Sequence, residues 1–259
     1  MNKISIIIPT LNEEAYIGKL LEHVLANASS KNILEILVVD GGSTDQTKNI
    51  ANHFFNFTNT TKIKAYNYIS NSLNLSTKNK APKISIQLLN SKKGRAKQMN
   101  FGAKHAKGNV LYFLHADSFP PKNFDELILT EIKKNNLAGC FKMQFNSKHW
   151  WLKLSGWFTQ FNWRACRGGD QSQFITKWLF DNIGGFNENY IVYEDNILIN
   201  ELYARKQFVV INKTLKTSAR MYHKHGVWKL QYVYWSIYIK KWLGANANQL
   251  YKYYQNKLS

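Results

Sequence analysis

Read as alternating apolar and polar positions, the chain opens with a β-branched run, Ile4 to Ile8, closed by Pro9, and repeats the device at Ile36 to Val39. Short runs of this kind bounded by turn residues predict buried strands. Between them Glu13 to Leu25 carries Ile17, Leu20, Leu21, Val24 and Leu25 at helical spacing, so the opening stretch reads as a βαβ unit. A loop, Asp40-Gly41-Gly42-Ser43-Thr44, follows, with Ser43 or Thr44 placed to cap a helix starting near Asp45. Further strands are predicted at Ile84 to Leu89, Val110 to Leu114 and around Cys140 to Phe145, with helices from about Arg95 to His105 and near Phe124 to Lys134. Residues 56–82, rich in Asn, Thr, Ser and Lys with weak periodicity, read as a surface insertion. The expected class is α/β: an open, mostly parallel sheet flanked by helices.

Towards the carboxyl end the pattern changes. Trp150, Trp151, Trp157, Phe158, Phe161 and Trp163 form an aromatic segment that either lines a groove or fills the core beneath one. Trp228, Tyr232, Trp235, Ile239 and Trp242 then recur at four and three residues, with Lys229, Lys240 and Lys241 among them, which predicts an amphipathic helix. Such a stripe more often packs on a core, but a basic, aromatic helix also suits docking at an anionic membrane surface.

Composition narrows the partners. The 259 residues are 44% apolar and 20% charged, which excludes a disordered tail or a mini-scaffold. Lys and Arg number 35 against 16 Asp and Glu, a formal charge of +19, and the resulting potential favours polyphosphates, nucleic acid or anionic lipid. Cys140 and Cys166 are too few for a disulfide framework and lack paired zinc-site spacing, so a reducing, cytoplasmic setting is expected. The opening apolar run falls short of a signal-peptide core, and no stretch approaches the roughly 18 apolar residues needed to span a bilayer.

Candidate chemistry gathers where the predicted strands end. Pro9, Thr10, Asn12 and Glu13 follow the first strand, and Asp40 and Gly41 follow the second. Carboxylates and backbone groups at the carboxyl edge of an open sheet can hydrogen-bond a nucleobase, and ligands bind at that edge. The plainer alternative is that Asn12, Glu13 and Glu14 only cap and charge-match a helix start. Gly94-Arg95-Ala96-Lys97-Gln98-Met99-Asn100 opens a helix with cations suited to a diphosphate, yet it is neither a P-loop nor a Gly-x-Gly-x-x-Gly turn. Its alternative is a solvated basic face. His115-Ala116-Asp117 ends the Val110 strand with two potential ligands to a divalent cation, ribose or phosphate. Glu194-Asp195 reads as a carboxylate pair at a helix start, one free to act as a base. Ser218 to Trp228 collects Arg220, His223 and His225, groups able to meet phosphate or metal.

Together, Ser-Ile-Ile-Ile-Pro-Thr-Leu-Asn-Glu-Glu, Val-Val-Asp-Gly-Gly-Ser-Thr-Asp and His-Ala-Asp resemble a family 2 glycosyltransferase with a GT-A fold. The likeness continues in Gly169-Asp170-Gln171, Gly184-Gly185-Phe186-Asn187-Glu188 and Tyr193-Glu194-Asp195, and spans nearly the whole chain outside 56–82. Within the family it is similar to the short cytoplasmic group with radical-SAM or selenodomain neighbours, some of it linked to arsenosugar biosynthesis. The resemblance implies that Pro9, Thr10, Asn12, Glu13, Asp40, Gly41, Arg95, Lys97, Asn100, His115, Ala116 and Asp117 bind a nucleotide-diphosphate sugar. It implies that Asp117, with His225, holds Mg or Mn, and that Asp195, beside Glu194, is the general base of an inverting transfer to an acceptor hydroxyl. Gly169, Asp170, Gln171, Arg220 and Trp228 would serve the acceptor or diphosphate. The family's Asp-x-Asp reads His115-Ala116-Asp117 here, one carboxylate short.

With no linker between its halves, the chain is expected to be one domain. Residues 1–118 would bind the nucleotide sugar, 119–226 the acceptor, and 227–259 would form a C-terminal helical region with amphipathic helices. The acceptor could then be a lipid reached by peripheral contact with an anionic membrane; no nucleic-acid partner is expected. The competing class is a noncatalytic polyanion- or membrane-surface-binding protein. A nucleotidyltransferase lacks the Gly-rich, basic first loop it would need and ranks last.

Overall fold

The computed structural model describes residues 2–59 and 84–258, without the side chains of 56–59. Eight strands form one sheet: β1 (Ile4–Thr10), β2 (Ile33–Asp40), β3 (Ser85–Asn90), β4 (Val110–Phe113), β5 (Ser118–Phe119), β6 (Ala138–Phe145), β7 (Gln173–Thr176) and β8 (Val209–Thr217). Their order is β3-β2-β1-β4-β7-β6-β8-β5. The β3, β2, β1 and β4 strands run parallel, β7 is antiparallel to both β4 and β6, and β6 and β8 pair in parallel. One sheet therefore crosses the expected boundary at residue 118.

Ten α-helices accompany it among the described residues: α1 (Ile17–Asn27), α2 (Thr47–Asn59), α3 (Arg95–His105), α4 (Phe124–Lys133), α5 (Trp150–Phe158), α6 (Lys177–Ile183), α7 (Glu194–Ala204), α8 (Arg220–His225), α9 (Val227–Trp242) and α10 (Ala247–Leu258). Period-two alternation in β1 splits the core. Ile4, Ile6 and Ile8 pack with α1 and α4 on one face, while Ile7 packs with α3, α6 and α7 on the other. Helix α3 lies so close to the sheet that a Cβ on Gly102 would stand 2.5 Å from Ile7 Cγ2. A third cluster, Leu230, Val233 and Ile237 of α9 with Leu250 and Leu258 of α10, closes the C-terminal end.

Several expectations shift. Helix α1 begins at Ile17, because Glu13 to Tyr16 form a turn whose Glu13 carbonyl accepts from Tyr16 and Ile17 N–H. Helix α2 begins at Thr47, and its cap is Asp45, whose carboxylate accepts from the Thr47 N–H at 3.0 Å and hydroxyl at 2.6 Å. Ser43 is engaged elsewhere, accepting from the Asn12 N–H. The expected insertion overlaps α2 as far as Asn59, and from residue 60 it lies outside the described residues. The aromatic stripe of α9 does not pack on the core: Trp228, Tyr232, Trp235, Ile239 and Trp242 are all exposed, and the core takes the opposite face. Trp150 and Trp157 are exposed too, and Trp151, half-buried, packs on Trp228 and Trp235, so none of the three lines the cavity bounded by Thr10, Asp117 and Arg220.

Candidate functional site

The parallel register delivers the carboxyl ends of β1, β2 and β3 to one edge, with Thr10 opposite Asp40 and Asp40 opposite Asn90. Gln98 of α3 staples that edge: its side-chain amide donates to the Thr10 carbonyl at 2.8 Å and the Val39 carbonyl at 2.7 Å. Sequence reading passed over Gln98, since a polar residue within a basic helix start gives no sign of facing inward.

Above this edge opens a cavity of about 690 Å³. Of the residues singled out in the sequence, Pro9, Thr10, Glu13, Arg95, Lys97, His115, Ala116, Asp117, Asp170 and Arg220 line it. Asp117 lies in the turn between β4 and β5, and the Ser218 N–H donates to its carbonyl at 3.2 Å, which brings the start of α8 alongside. Arg220 then reaches back between two carboxylates. Its Nη1 and Nη2 donate to Glu13 at 2.7 and 2.5 Å, and its Nε stands 3.1 Å from Asp117 Oδ2. The guanidinium also lies over the Tyr16 ring, 5.0 Å from its centroid. Burial pushes the Asp117 carboxyl above its usual range, and Arg220 and His115 pull it back.

A second ion cluster sits at the start of α7. Glu194 is fully buried and bonded to Arg95 Nε, while Arg95 Nη2 lies 3.7 Å from Asp195 Oδ2. Burial raises the Glu194 carboxyl to about 7 against the pull of Arg95, and its Oε2 has no hydrogen-bond partner. Neither acid lines the cavity; both reach it through Arg95, which does. Gly169 accommodates the pair, because a Cβ there would come 2.0 Å from Asp195 Oδ2. Glu194 is thus an ion-pair partner and not a free helix-start carboxylate.

The remaining expected site residues hold loops. Asp40 Oδ2 accepts from the Gly42 and Ser43 N–H groups at 2.9 Å each, and its buried Oδ1 has no partner. Gly41 is buried beneath Gln98, and its N–H donates to the Thr10 carbonyl. Asn12, in left-handed backbone at φ 56, ties the β1 loop to the β2 loop by accepting from the Thr44 N–H. Asn100 clamps the Gly184-Gly185-Phe186 turn, donating to the Phe186 carbonyl and accepting from the Phe186 N–H, both at 2.9 Å. Gln171 is buried, donating to the Cys166 carbonyl and accepting from Arg167. Arg167, missed in the sequence, is itself buried and donates to the Thr159 and Phe161 carbonyls at 2.7 Å, which fixes the chain after α5. His225 ends α8 and Trp228 lies on the outer side of α9; the structure brings neither to the cavity.

The wall facing Asp117 is aromatic: Phe145, Tyr190, Tyr222, Tyr234, Tyr251 and Tyr254. The C-terminal tyrosines carried no sequence signal, since only the folding of α9 and α10 over the sheet brings them there.

No three His, Cys, Asp or Glu side chains among the described residues group to hold a metal ion. The donor set still fits Mg or Mn that arrives with a diphosphate, because such ions are held by one or two carboxylates plus phosphate oxygens. Asp117 offers that one carboxylate, shared with Arg220.

Residues 5–187 match the family described as Glycosyl transferase family 2. A Methanococcus voltae dolichyl N-acetyl-alpha-D-glucosaminyl phosphate 3-beta-D-2,3-diacetamido-2,3-dideoxy-beta-D-glucuronosyltransferase is 33% identical over 124 residues, covering 48% of this chain and 32% of the relative. The Staphylococcus aureus poly(ribitol-phosphate) beta-N-acetylglucosaminyltransferase TarS is 33% identical over 119 residues, 46% of this chain and 17% of its own length. The chain thus spans a third or less of the length of these curated relatives. Among solved structures, residues 1–349 of TarS in complex with UDP align with TM-score 0.62 and 21% identity, over 84% of this chain and 60% of that one. The mannosyltransferase PcManGT from Pyrobaculum calidifontis, in complex with GDP-Man and Mn2+, aligns with TM-score 0.65 and 15% identity, over 95% and 66%. The fold is that of GT-A glycosyltransferases.

Proposed function

Since this chain belongs to glycosyl transferase family 2, we propose that it moves a sugar from a nucleotide-diphosphate donor to an acceptor hydroxyl, working as one domain. The observation that carries the reading is that two arginines lining the cavity are each paired with a carboxylate, Arg220 with Asp117 in the lining and Arg95 with Asp195 behind it. The negative charge that develops on a leaving diphosphate must be neutralised, and a proton must be taken from the acceptor; the cations and carboxylates of the two clusters would supply both needs.

Arg220, Arg95 and Lys97 would face the diphosphate oxygens, and Asp117 would hold Mg or Mn. Bound there, the cation would neutralise charge on the leaving diphosphate. Thr10, which lines the cavity, would contact the base or ribose, while Asp40, opposite it in the register, is buried behind that lining with its Oδ1 unpartnered. The acceptor oxygen attacks the anomeric carbon, the bond from that carbon to the diphosphate oxygen breaks, and the acceptor proton passes to Asp195. A single displacement of this kind inverts the anomeric centre. Asp195 becomes available as Arg95 turns towards the donor. The aromatic wall would seat the acceptor. We also assign the chain to the short group of the family with radical-SAM or selenodomain neighbours, on the motif resemblance alone.

The test is a thermal-shift and hydrolysis screen of UDP-, GDP- and ADP-sugars with Mn or Mg present. Stabilisation by one nucleobase over the others, weakened by Asp117→Asn, is expected. Equal response to all three with no change in Asp117→Asn would return the chain to the noncatalytic polyanion-binding class.

A further inference from the structure

Helix α9 is apolar on two opposite sides. At 100° per residue, Trp228, Tyr232, Trp235, Ile239 and Trp242 fall within a sector about 80° wide, while Leu230, Val233 and Ile237 lie on the far side and are buried. The outer sector is 49% to 85% exposed at each of its five positions. It does not end at the helix. Trp150 of α5 packs against Trp228 with ring centroids 5.9 Å apart, and Trp151 bridges to Trp228 and Trp235 at 5.5 and 5.9 Å. Trp157, about two turns along α5 from Trp150, is 54% exposed. Single exposed aromatics need no explanation, but a contiguous sheet of them marks an interaction surface.

The charge around it names the partner. Residues 132–169, which contain α5, hold seven Lys and Arg; residues 202–259, which contain α8, α9 and α10, hold eleven; neither stretch has an Asp or Glu. Lys153 of α5 and Lys229 of α9 are exposed, as are Lys148 just before α5 and Lys224 of α8. An acid-free basic rim around tryptophans complements the headgroup region of an anionic bilayer, where indole rings sit at the boundary and lysines meet lipid phosphate. A second copy of the same face would set these cations against each other. No described helix is long and apolar enough to cross a membrane.

We infer that the α5–α9 face docks this protein onto an anionic membrane surface, with the tryptophans in the headgroup layer. The face is one helix away from the cavity: Tyr234 of α9 lines the cavity while its neighbour Trp235 points outward. An acceptor carried on a lipid would therefore meet the cavity from the docked side, a consequence that rests on the glycosyl-transfer reading, whereas the docking itself does not.

The test is co-sedimentation of the full chain with vesicles of phosphatidylcholine alone or with about 30 mol% phosphatidylglycerol, read alongside tryptophan emission. The expected result is binding at least about ten-fold tighter to the anionic vesicles, weakened by salt, with a blue shift of the emission. Trp150→Ser/Tyr232→Ser/Trp235→Ser removes outward side chains only and should lose about ten-fold in that binding, while the nucleotide-sugar thermal shift stays as in the parent. Binding equal in both vesicle types, or unchanged in the triple variant, overturns the inference. So does a dimer in sedimentation that the triple variant dissociates with no vesicle binding in the parent. A triple variant that loses the thermal shift as well is replaced by Lys148→Glu/Lys229→Glu, which should abolish the preference for anionic vesicles with the aromatics intact. Failure of vesicle binding with nucleotide selectivity retained removes the docking and leaves the proposed transfer standing.

Discussion

The two sides of the cavity are built by opposite means. On the sheet side, Thr10 and Asp117 are fixed by the backbone: buried β1 and β4 pair in register, Gln98 locks the ends of β1 and β2, and the Ser218 N–H pins the Asp117 carbonyl. On the helical side, tyrosines from α8, α9 and α10 supply the wall, and those helices rest on a small core of their own. The sheet side holds the Asp117 carboxylate in place before any ligand arrives, where on the proposed reading it would hold the cation that neutralises a leaving diphosphate. The helical side offers broad ring faces on separate helices, a surface able to adjust to an acceptor. On the proposed reading, chemistry would belong to the sheet side and acceptor fit to the helical one.

The largest effect should come from the charged side. Asp195→Asn is expected to lower the transfer rate by about 10² to 10⁴, the ordinary worth of a general base, with donor affinity nearly unchanged because Asp195 lies behind Arg95. Steady-state kinetics with a fixed donor would show this as a fall in kcat at constant KM for the donor. Asp170→Asn sharpens the point, since Asp170 lines the cavity directly. If the loss appears in Asp170→Asn and not in Asp195→Asn, the base lies on the cavity wall and Asp195 serves to hold Arg95.

Next in size is the separate core of the helical side. Leu230 is fully buried against α10, and Leu230→Ala should cost about 2 to 5 kcal/mol by removing methyl groups and leaving a cavity. Urea denaturation measures it. If the helical side behaves as its own small unit, the wall tyrosines lose order and acceptor KM rises before donor binding is lost.

This contrast also explains how far the sequence could be read. The strands and the carboxyl edge were legible because β-branched runs ending in polar residues have one reading: a buried strand and the loop at its end. Helix α3, Arg95 to His105, matched residue for residue. Asp117 was legible for the same reason, being delivered by a buried strand. Asn12, Asn100 and Gln171 were recognised as polar residues at turns, but polarity alone does not separate a side chain that reaches a ligand from one that bonds a neighbouring backbone. The α9 stripe was the clearest failure of inference. Period 3.6 reveals that a helix forms, and it leaves open which side is buried when both sides are apolar; Leu230, Val233 and Ile237 won because they meet α10. Tyr234, Tyr251 and Tyr254 of the cavity wall left no local trace at all, since their position depends on how α9 and α10 fold back.

A smaller effect concerns pH. The Glu194 carboxyl lies near 4.5 when free and is raised by burial to about 7 in the fold. Its neutral form is favoured on folding, so its contribution to stability is fully present below about 4.5 and lost as pH rises through about 7. Between pH 5 and 8 the parent should therefore lose stability relative to Glu194→Gln by on the order of 1 to 3 kcal/mol. Melting curves of both proteins across that range give the slope, and parallel curves would mean that Arg95 keeps the carboxylate ionised throughout. The start of α7 would then be held by a permanent ion pair and not by a group that titrates near neutrality.

The smallest effect is the one that isolates the two faces of α9. Tyr232 is 62% exposed and stands on the outer sector, opposite Leu230. Its removal takes little apolar surface out of contact with protein, so Tyr232→Ala should change folding stability by no more than about 0.5 kcal/mol. Leu230→Ala, two residues away, should cost several times that. Paired urea titrations of the two variants test the assignment of faces directly, with no ligand and no assumption about chemistry. A loss in Tyr232→Ala as large as in Leu230→Ala would mean that the outer face is covered by protein in solution, and the aromatic stripe would then belong to a core.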